Sequence, residues 1–149
     1  MKYFKLWEFT NSATAKRYGI NNTPPIGIER NITALVDNVL DPLREKYGKA
    51  IVISSGYRCD KLNKIIGGSI TSQHRFGEAA DITVGNKENN KQLLKIIYEL
   101  GIFDQLILEY GGQWVHVSYK RTGENRKQVL KTNDGRHYNK MPEEEIINL

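Results

Sequence analysis

The sequence predicts an α+β fold, a small, mainly antiparallel sheet with flanking helices. Three features carry that prediction. Apolar residues recur at helical spacing in two stretches, Ile32 to Leu43 and Leu93 to Leu100. Short runs rich in strand-favouring residues lie around them, in Ala50–Ser54, Asp81–Val84 and Gln105–Tyr119. Inside the last run, Gly111-Gly112 between apolar residues reads as a two-residue hairpin turn, which makes its two strands antiparallel neighbours.

Taken in order along the chain, Ile32, Leu35, Val36, Val39, Leu40 and Leu43 form the first helical stripe. Asp41-Pro42 is expected to end one helix and start another, with Asp41 as cap and Pro42 in the first turn. Ala50 to Ser54 reads as a buried strand leading to Arg58, and Asp60 to Ile66 as a short helix closed by Gly67-Gly68. The run from Ser72 to Asp81 holds Gly77 and the small Ala79 and Ala80, which suits a loop turning into a strand that Asp81 opens. Leu93, Leu94, Ile96, Ile97 and Leu100 form a second amphipathic stripe, ended by Gly101. The hairpin strands follow from Gln105 to Tyr119. Beyond them, Lys120 to Leu149 is polar and basic until Pro142-Glu143-Glu144-Glu145, a helix start with acids at its positive end. This segment either lines a cleft or wraps the domain.

At 149 residues, 39% hydrophobic and 26% charged, the chain has material for one domain with its own core and too little for two. A single monomeric domain over residues 1–149 is expected. No run approaches the length of a membrane span, and the start Met1-Lys2-Tyr3-Phe4-Lys5-Leu6-Trp7-Glu8 lacks the apolar region of a secretory signal. The lone cysteine, Cys59, excludes an intramolecular disulfide. A net charge of +5 favours polyanionic partners. Charge alone does not choose between them, but nothing resembles a nucleic-acid-binding motif, so no nucleic-acid partner is expected. No repeat, low-complexity tract or linker marks a second binding domain.

The chemistry concentrates in His74, Asp81 and His116. Two neutral imidazoles and one carboxylate are a ligand set that lets Zn²⁺ keep a fourth position open for water, as catalytic sites do. Gly77 interrupts the seven-residue step from His74 to Asp81, and Asp81 opens the strand-like run Asp81-Ile82-Thr83-Val84, so one continuous helix does not carry both. A loop would therefore deliver His74 and strands would hold Asp81 and His116. The third histidine, His137, lies in the polar stretch Gly135-Arg136-His137-Tyr138-Asn139 and reads as a solvated surface residue.

The motif Ser72-x-His74-x-x-Gly77-x-Ala79-x-Asp81, followed by Trp114-x-His116, resembles the M15 zinc peptidases, the D-alanyl-D-alanine carboxypeptidase and peptidoglycan peptidase group. Ser54-Ser55-Gly56-Tyr57-Arg58, Leu62-Asn63 and Gly67-Gly68-Ser69 match its phage and prophage branch, so the resemblance runs from Phe9 to about Arg126. It implies a hedgehog-like, D-Ala-D-Ala-peptidase-like fold, a catalytic core over about 9–126 and a basic extension over 127–149. It implies one zinc ion on His74, Asp81 and His116, with Arg58 and Ser72 contacting substrate. Arg58 also makes sense unaided, since a guanidinium offers two parallel donors to a carboxylate or an oxyanion. Ser72 fits a turn or cap equally well.

Many family members carry Glu-x-x-His before the last ligand, whereas this chain has Gln113 there. If Gly111-Gly112 is the turn, Glu109 faces Trp114 and Ile107 faces His116. Glu109, Trp114 and His116 then share one face, with Leu106, Leu108, Val115 and Val117 on the other. Glu109 is the expected general acid/base, Trp114 a substrate contact, and Gln113 points away. Glu78, although inside the motif, reads as a surface or strand-start residue.

The expected function is zinc-dependent hydrolysis of a peptide bond in bacterial peptidoglycan, of carboxypeptidase or endopeptidase type. Such an enzyme, made in the cytoplasm and released to the wall by lysis or carried by a virion, needs no signal of its own. Two other readings use the same features: a non-catalytic zinc-site binding module and a structural virion protein.

Overall fold

The first apolar stripe is one unbroken helical rod in the computed structural model, which describes residues 1–149. Helix α3 (Ile26–Leu35) runs through a π-helical turn, Val36–Leu40, into α4 (Asp41–Tyr47). The expected break at Asp41-Pro42 is absent. Proline has no N–H to give the carbonyl four residues back, and its ring would strike that carbonyl in a regular helix. The wider turn relieves both problems, because Asp41 N–H bonds to Val36 O, five residues back, and Leu35, Leu40 and Asp41 all keep helical backbone angles. Asp41 is not a cap. Its carboxylate accepts from the backbone N–H groups of Lys2 (2.6 Å) and Tyr3 (3.0 Å). That tether leads the chain start to the buried Phe4. Helices α1 (Leu6–Thr10) and α2 (Ala13–Arg17) follow.

The sheet consists of β1 (Val52–Ser55), β2 (Ala79–Thr83), β3 (Gln105–Glu109), β4 (Trp114–Ser118), β5 (Gln128–Thr132) and β6 (Asn139–Lys140), in the spatial order β1-β2-β4-β3-β5-β6. All neighbours are antiparallel except β3 and β5, which are parallel. Strand β1 is not the buried strand expected. It is an edge strand with Val52 58% exposed, because only its inner side meets the core, through the buried Ile51 and the half-buried Ile53. Strand β2 begins two residues earlier than expected, so Asp81 sits at its centre.

Helix α5 (Asp60–Ile66) ends at Gly67 in the left-handed conformation, as its sequence predicts. Helix α6 (Lys87–Leu100) likewise ends at Gly101 and buries Leu93, Leu94 and Ile97. Leu100, at its last turn, is 38% exposed and adds nothing to the core. The C-terminal segment is part of the sheet. Strands β5 and β6 extend it, and α7 (Glu143–Ile147), starting after Pro142, packs Ile146 inward. One apolar cluster accordingly reaches from Phe4 to Ile146 between the sheet and its helices. No helix is long and apolar enough to cross a membrane.

Candidate metal centre

His74 arrives on a single 3-10 turn, Gln73–Phe76, that packs against β2. Ser72 caps the turn, its Oγ accepting from His74 N at 3.3 Å. The imidazole is buried, and its Nδ1 donates to Gly56 O at 2.7 Å, which leaves Nε2 as the free lone pair, 3.5 Å from Asp81 Oδ2. Asp81 is the direct cross-strand partner of His116, whose Nδ1 lies 3.1 Å from Asp81 Oδ1. The two imidazole rings meet edge to face at 5.2 Å. One ligand atom from each of the three residues lies within 4.8 Å of the others.

The protonation states also suit a metal. Burial pushes the His74 imidazole below its ordinary value, towards the neutral form, although Asp81 opposes the shift. Burial would raise the Asp81 carboxyl, but His74 and the hydrogen bond from His116 outweigh it and hold the group well below the usual carboxylate range. A neutral imidazole and an ionised carboxylate are the forms that bind a metal. With two nitrogen donors and one oxygen donor converging, the residues fit a single divalent cation such as zinc.

Gly77 fixes the step from the 3-10 turn to β2. Its φ is +68°, and a Cβ there would stand 2.8 Å from both Ile28 Cγ2 and Ile28 O on α3. Gly77→Ala is therefore expected to cost roughly 1–3 kcal/mol through overpacking, with a left-handed penalty of about 1–2 kcal/mol in addition. Thermal and urea unfolding measure it. An unchanged midpoint would mean that α3 yields at no cost.

Opposite Asp81, the β3-β4 hairpin carries the cleft wall. Its loop is four residues, Tyr110–Gln113, rather than the two expected, with Gly112 N–H and Gln113 N–H both bonded to Glu109 O at 2.9 Å. Tyr110, Gly111 and Gly112 all take positive φ to close it. The buried Asn90 anchors this loop to α6, its Nδ2 donating to Gly112 O (2.9 Å) and Gln113 O (3.0 Å). Because the loop grows by an even number of residues, the register survives: Glu109 pairs with Trp114 and Ile107 with His116. Glu109, Trp114 and His116 line the cleft, while Leu106, Leu108, Val115 and Val117 join the core. Gln113 is exposed and outside the cleft. Glu109 is only 8% exposed, and burial pushes its carboxyl above the ordinary value, with Asp81 adding to the shift and His116 opposing it.

Arg58 leans over the centre from the other side. Its Nε reaches Ser55 Oγ at 3.3 Å, Nη1 reaches Asn63 Oδ1 at 3.4 Å, and Nη2 lies 3.7 Å from Asp81 Oδ2. A cleft of about 690 Å³ thus brings together Arg58, Ser72, His74, Asp81, Glu109, Trp114 and His116. Trp114 packs against Tyr110 with ring centroids 5.1 Å apart. His137 stays outside, solvated and hydrogen-bonded to Asp134. Cys59 is half-buried beside α5 and does not line the cleft, and Glu78 stands half-buried just before β2.

Among the other residues lining the cleft, Gln73, Arg126 and Tyr138 are polar side chains that the sequence does not assign to the site. Gln73 lies within the motif at a position the resemblance leaves open. Arg126 and Tyr138 belong to the C-terminal segment, where the only cue is the short strand-favouring run Gln128-Val129-Leu130-Lys131-Thr132 beside Arg126.

No curated protein matches this chain. A family model described as peptidase M15 matches residues 2–118, which takes in His74, Asp81, His116 and the whole hairpin. On that match, over most of its length, the chain belongs to the M15 family of peptidases.

Proposed function

We propose that this peptidase is zinc-dependent and hydrolyses a peptide bond in the stem peptides of bacterial peptidoglycan. The observation that carries the reading is the placement of Glu109 on the same wall as His116, across the cleft from Arg58, around one convergent donor set. His74, Asp81 and His116 would hold the zinc, which when bound would supply a Lewis acid for the carbonyl and lower the pKa of water towards about 7. Glu109 removes the proton of the attacking water and returns it to the leaving amine. Arg58 holds the negative charge that gathers on the carbonyl oxygen. Burial lowers its pKa and Asp81 opposes that, but a guanidinium keeps its proton in any protein setting. Trp114 offers the substrate an apolar wall and Ser72 a polar rim. The route needs no covalent intermediate.

The net charge of +5 suits a wall rich in carboxylates and phosphates. We place the enzyme at the wall as a monomer, released by lysis or carried by a virion. Digestion of purified muropeptides by the zinc-loaded protein, followed by mass spectrometry, tests the activity and identifies the bond. Release of D-alanine marks a carboxypeptidase, and cleavage within the stem or cross-bridge an endopeptidase. Zinc binding with no cleavage of any muropeptide would overturn the enzymatic reading in favour of a binding module.

Arg58→Lys keeps the positive charge and loses the planar fork. Turnover is expected to fall on the order of 10²-fold, the low end for a lost charge-stabilising donor because the charge is kept, while zinc content and melting temperature hold. Unchanged kinetics on the muropeptide substrate would remove Arg58 from the mechanism.

A further inference from the structure

Arg126 lines the cleft with two of its three guanidinium nitrogens committed. Its backbone N–H donates to Asp104 Oδ1 at 2.7 Å, its Nε lies 3.2 Å from both Asp104 oxygens, and its Nη2 reaches Asp104 Oδ2 at 2.8 Å. Asp104 is 0% exposed and also accepts from Gln73 Nε2 at 3.0 Å, while Gln73 Oε1 accepts from Arg126 Nη2 at 3.3 Å. The triangle closes on the residue directly before His74. It fixes the guanidinium relative to the 3-10 turn that carries the metal ligand.

The remaining nitrogen, Nη1, makes no hydrogen bond within the protein, and the side chain, which lines the cleft, is 48% exposed. A guanidinium held on two nitrogens and open on the third presents a positive donor edge at low entropic cost. Asp104 is buried and takes Nε and Nη2, so the open edge is turned away from that carboxylate, on a residue that lines the cleft. The other acids lining the cleft, Asp81 and Glu109, sit at the metal centre. We propose that Arg126 is a specificity-determining residue that binds a carboxylate of the peptide substrate away from the scissile bond, so that the cleft takes acidic peptides. This rests on the peptidase reading above for the nature of the substrate. It adds a second anion contact to that of Arg58, supplied by a residue beyond the family-matched span.

The test compares two synthetic stem peptides, L-Ala-γ-D-Glu-L-Lys-D-Ala-D-Ala and the same peptide with the free D-Glu carboxyl converted to a carboxamide. Dissociation constants are measured on the zinc-loaded full chain carrying Glu109→Gln, and kcat/KM on the unmodified chain. The carboxylate peptide is expected to bind roughly tenfold more tightly, the scale of one charge-assisted hydrogen bond at a partly exposed site. Arg126→Gln should bring the ratio to about one through weaker binding of the carboxylate peptide alone. Arg126→Lys retains the ion pair with Asp104 but has no second edge, so it should lose the preference too, with melting temperature and zinc content unchanged. A ratio near one in the parent protein, failure to bind either peptide, or a preference that survives Arg126→Lys overturns the proposal. Zinc-dependent cleavage without carboxylate preference defeats the Arg126 assignment alone. Carboxylate-dependent binding without cleavage defeats the peptidase reading alone.

Discussion

Replacing His74, Asp81 or His116 by alanine is expected to strip bound zinc and abolish turnover in each case. Three protein ligands leave no redundancy, and each comes from a different element: a 3-10 turn, strand β2 and strand β4. A Lewis acid contributes several kcal/mol to the transition state, so the loss should reach on the order of 10³-fold or more. The three variants differ in their structural cost. Asp81→Ala removes the shared carboxylate between two imidazoles and Arg58, and leaves that guanidinium without its nearest anion. It should unfold most easily of the three. Metal content by mass spectrometry and turnover on muropeptides measure the outcome together. Chelation of the parent protein should abolish cleavage, and added Zn²⁺ should restore it. Full zinc occupancy in any one variant would remove that residue from the ligand set, and cleavage by metal-free protein would end the hydrolytic mechanism.

Glu109→Gln is expected to keep zinc and stability while losing on the order of 10²-fold to 10⁴-fold in turnover, the contribution of a positioned proton shuttle. Gln113→Ala, three residues before His116 but exposed outside the cleft, should change the rate little. The pH profile adds an independent reading. The base must be ionised, and burial raises the Glu109 carboxyl, so activity is present above its folded pKa and is lost as pH falls through it. The acid limb of kcat/KM should stand above the roughly 4.3 of an exposed glutamate, and Glu109→Gln should abolish that limb. Near-normal rates for Glu109→Gln at matched zinc occupancy would exclude it as the base. A collapse confined to Gln113→Ala would contradict the hairpin register.

The site was more legible than the scaffold around it, for reasons visible in particular residues. His74, Asp81 and His116 are coded by residue type and spacing, and strand parity alone puts Glu109 beside them, since a two-residue and a four-residue loop give the same pairing. The widening to Tyr110–Gln113 was not legible, because it depends on Asn90, distant in sequence, holding the Gly112 and Gln113 carbonyls. Asp41-Pro42 reads as a helix start because helix-start chemistry is local, whereas the packing of Leu35, Val39, Leu40 and Leu43 into one core rewards a continuous rod with a π-turn. Ala50 to Ser54 reads as buried because an apolar run does not reveal whether its strand is central or at the edge. Arg126 and Tyr138 enter the cleft only because β5 crosses to the far side of β3, a long-range pairing that no local pattern announces.

That crossing has a consequence for synthesis on the ribosome. Until β5 emerges, the nascent chain has a hairpin whose β3 side is bare, with the backbone groups from Gln105 to Glu109 that will pair with β5 still open. At typical translation speeds the interval lasts on the order of seconds. During it, the apolar run Leu106-Ile107-Leu108 offers neighbouring nascent copies a template for strand pairing. A clone stopped at residue 118, where the family match ends, would make the interval permanent. Expression boundaries for this enzyme therefore belong after α7, where Met141 and Ile146 have closed over the far end of the sheet.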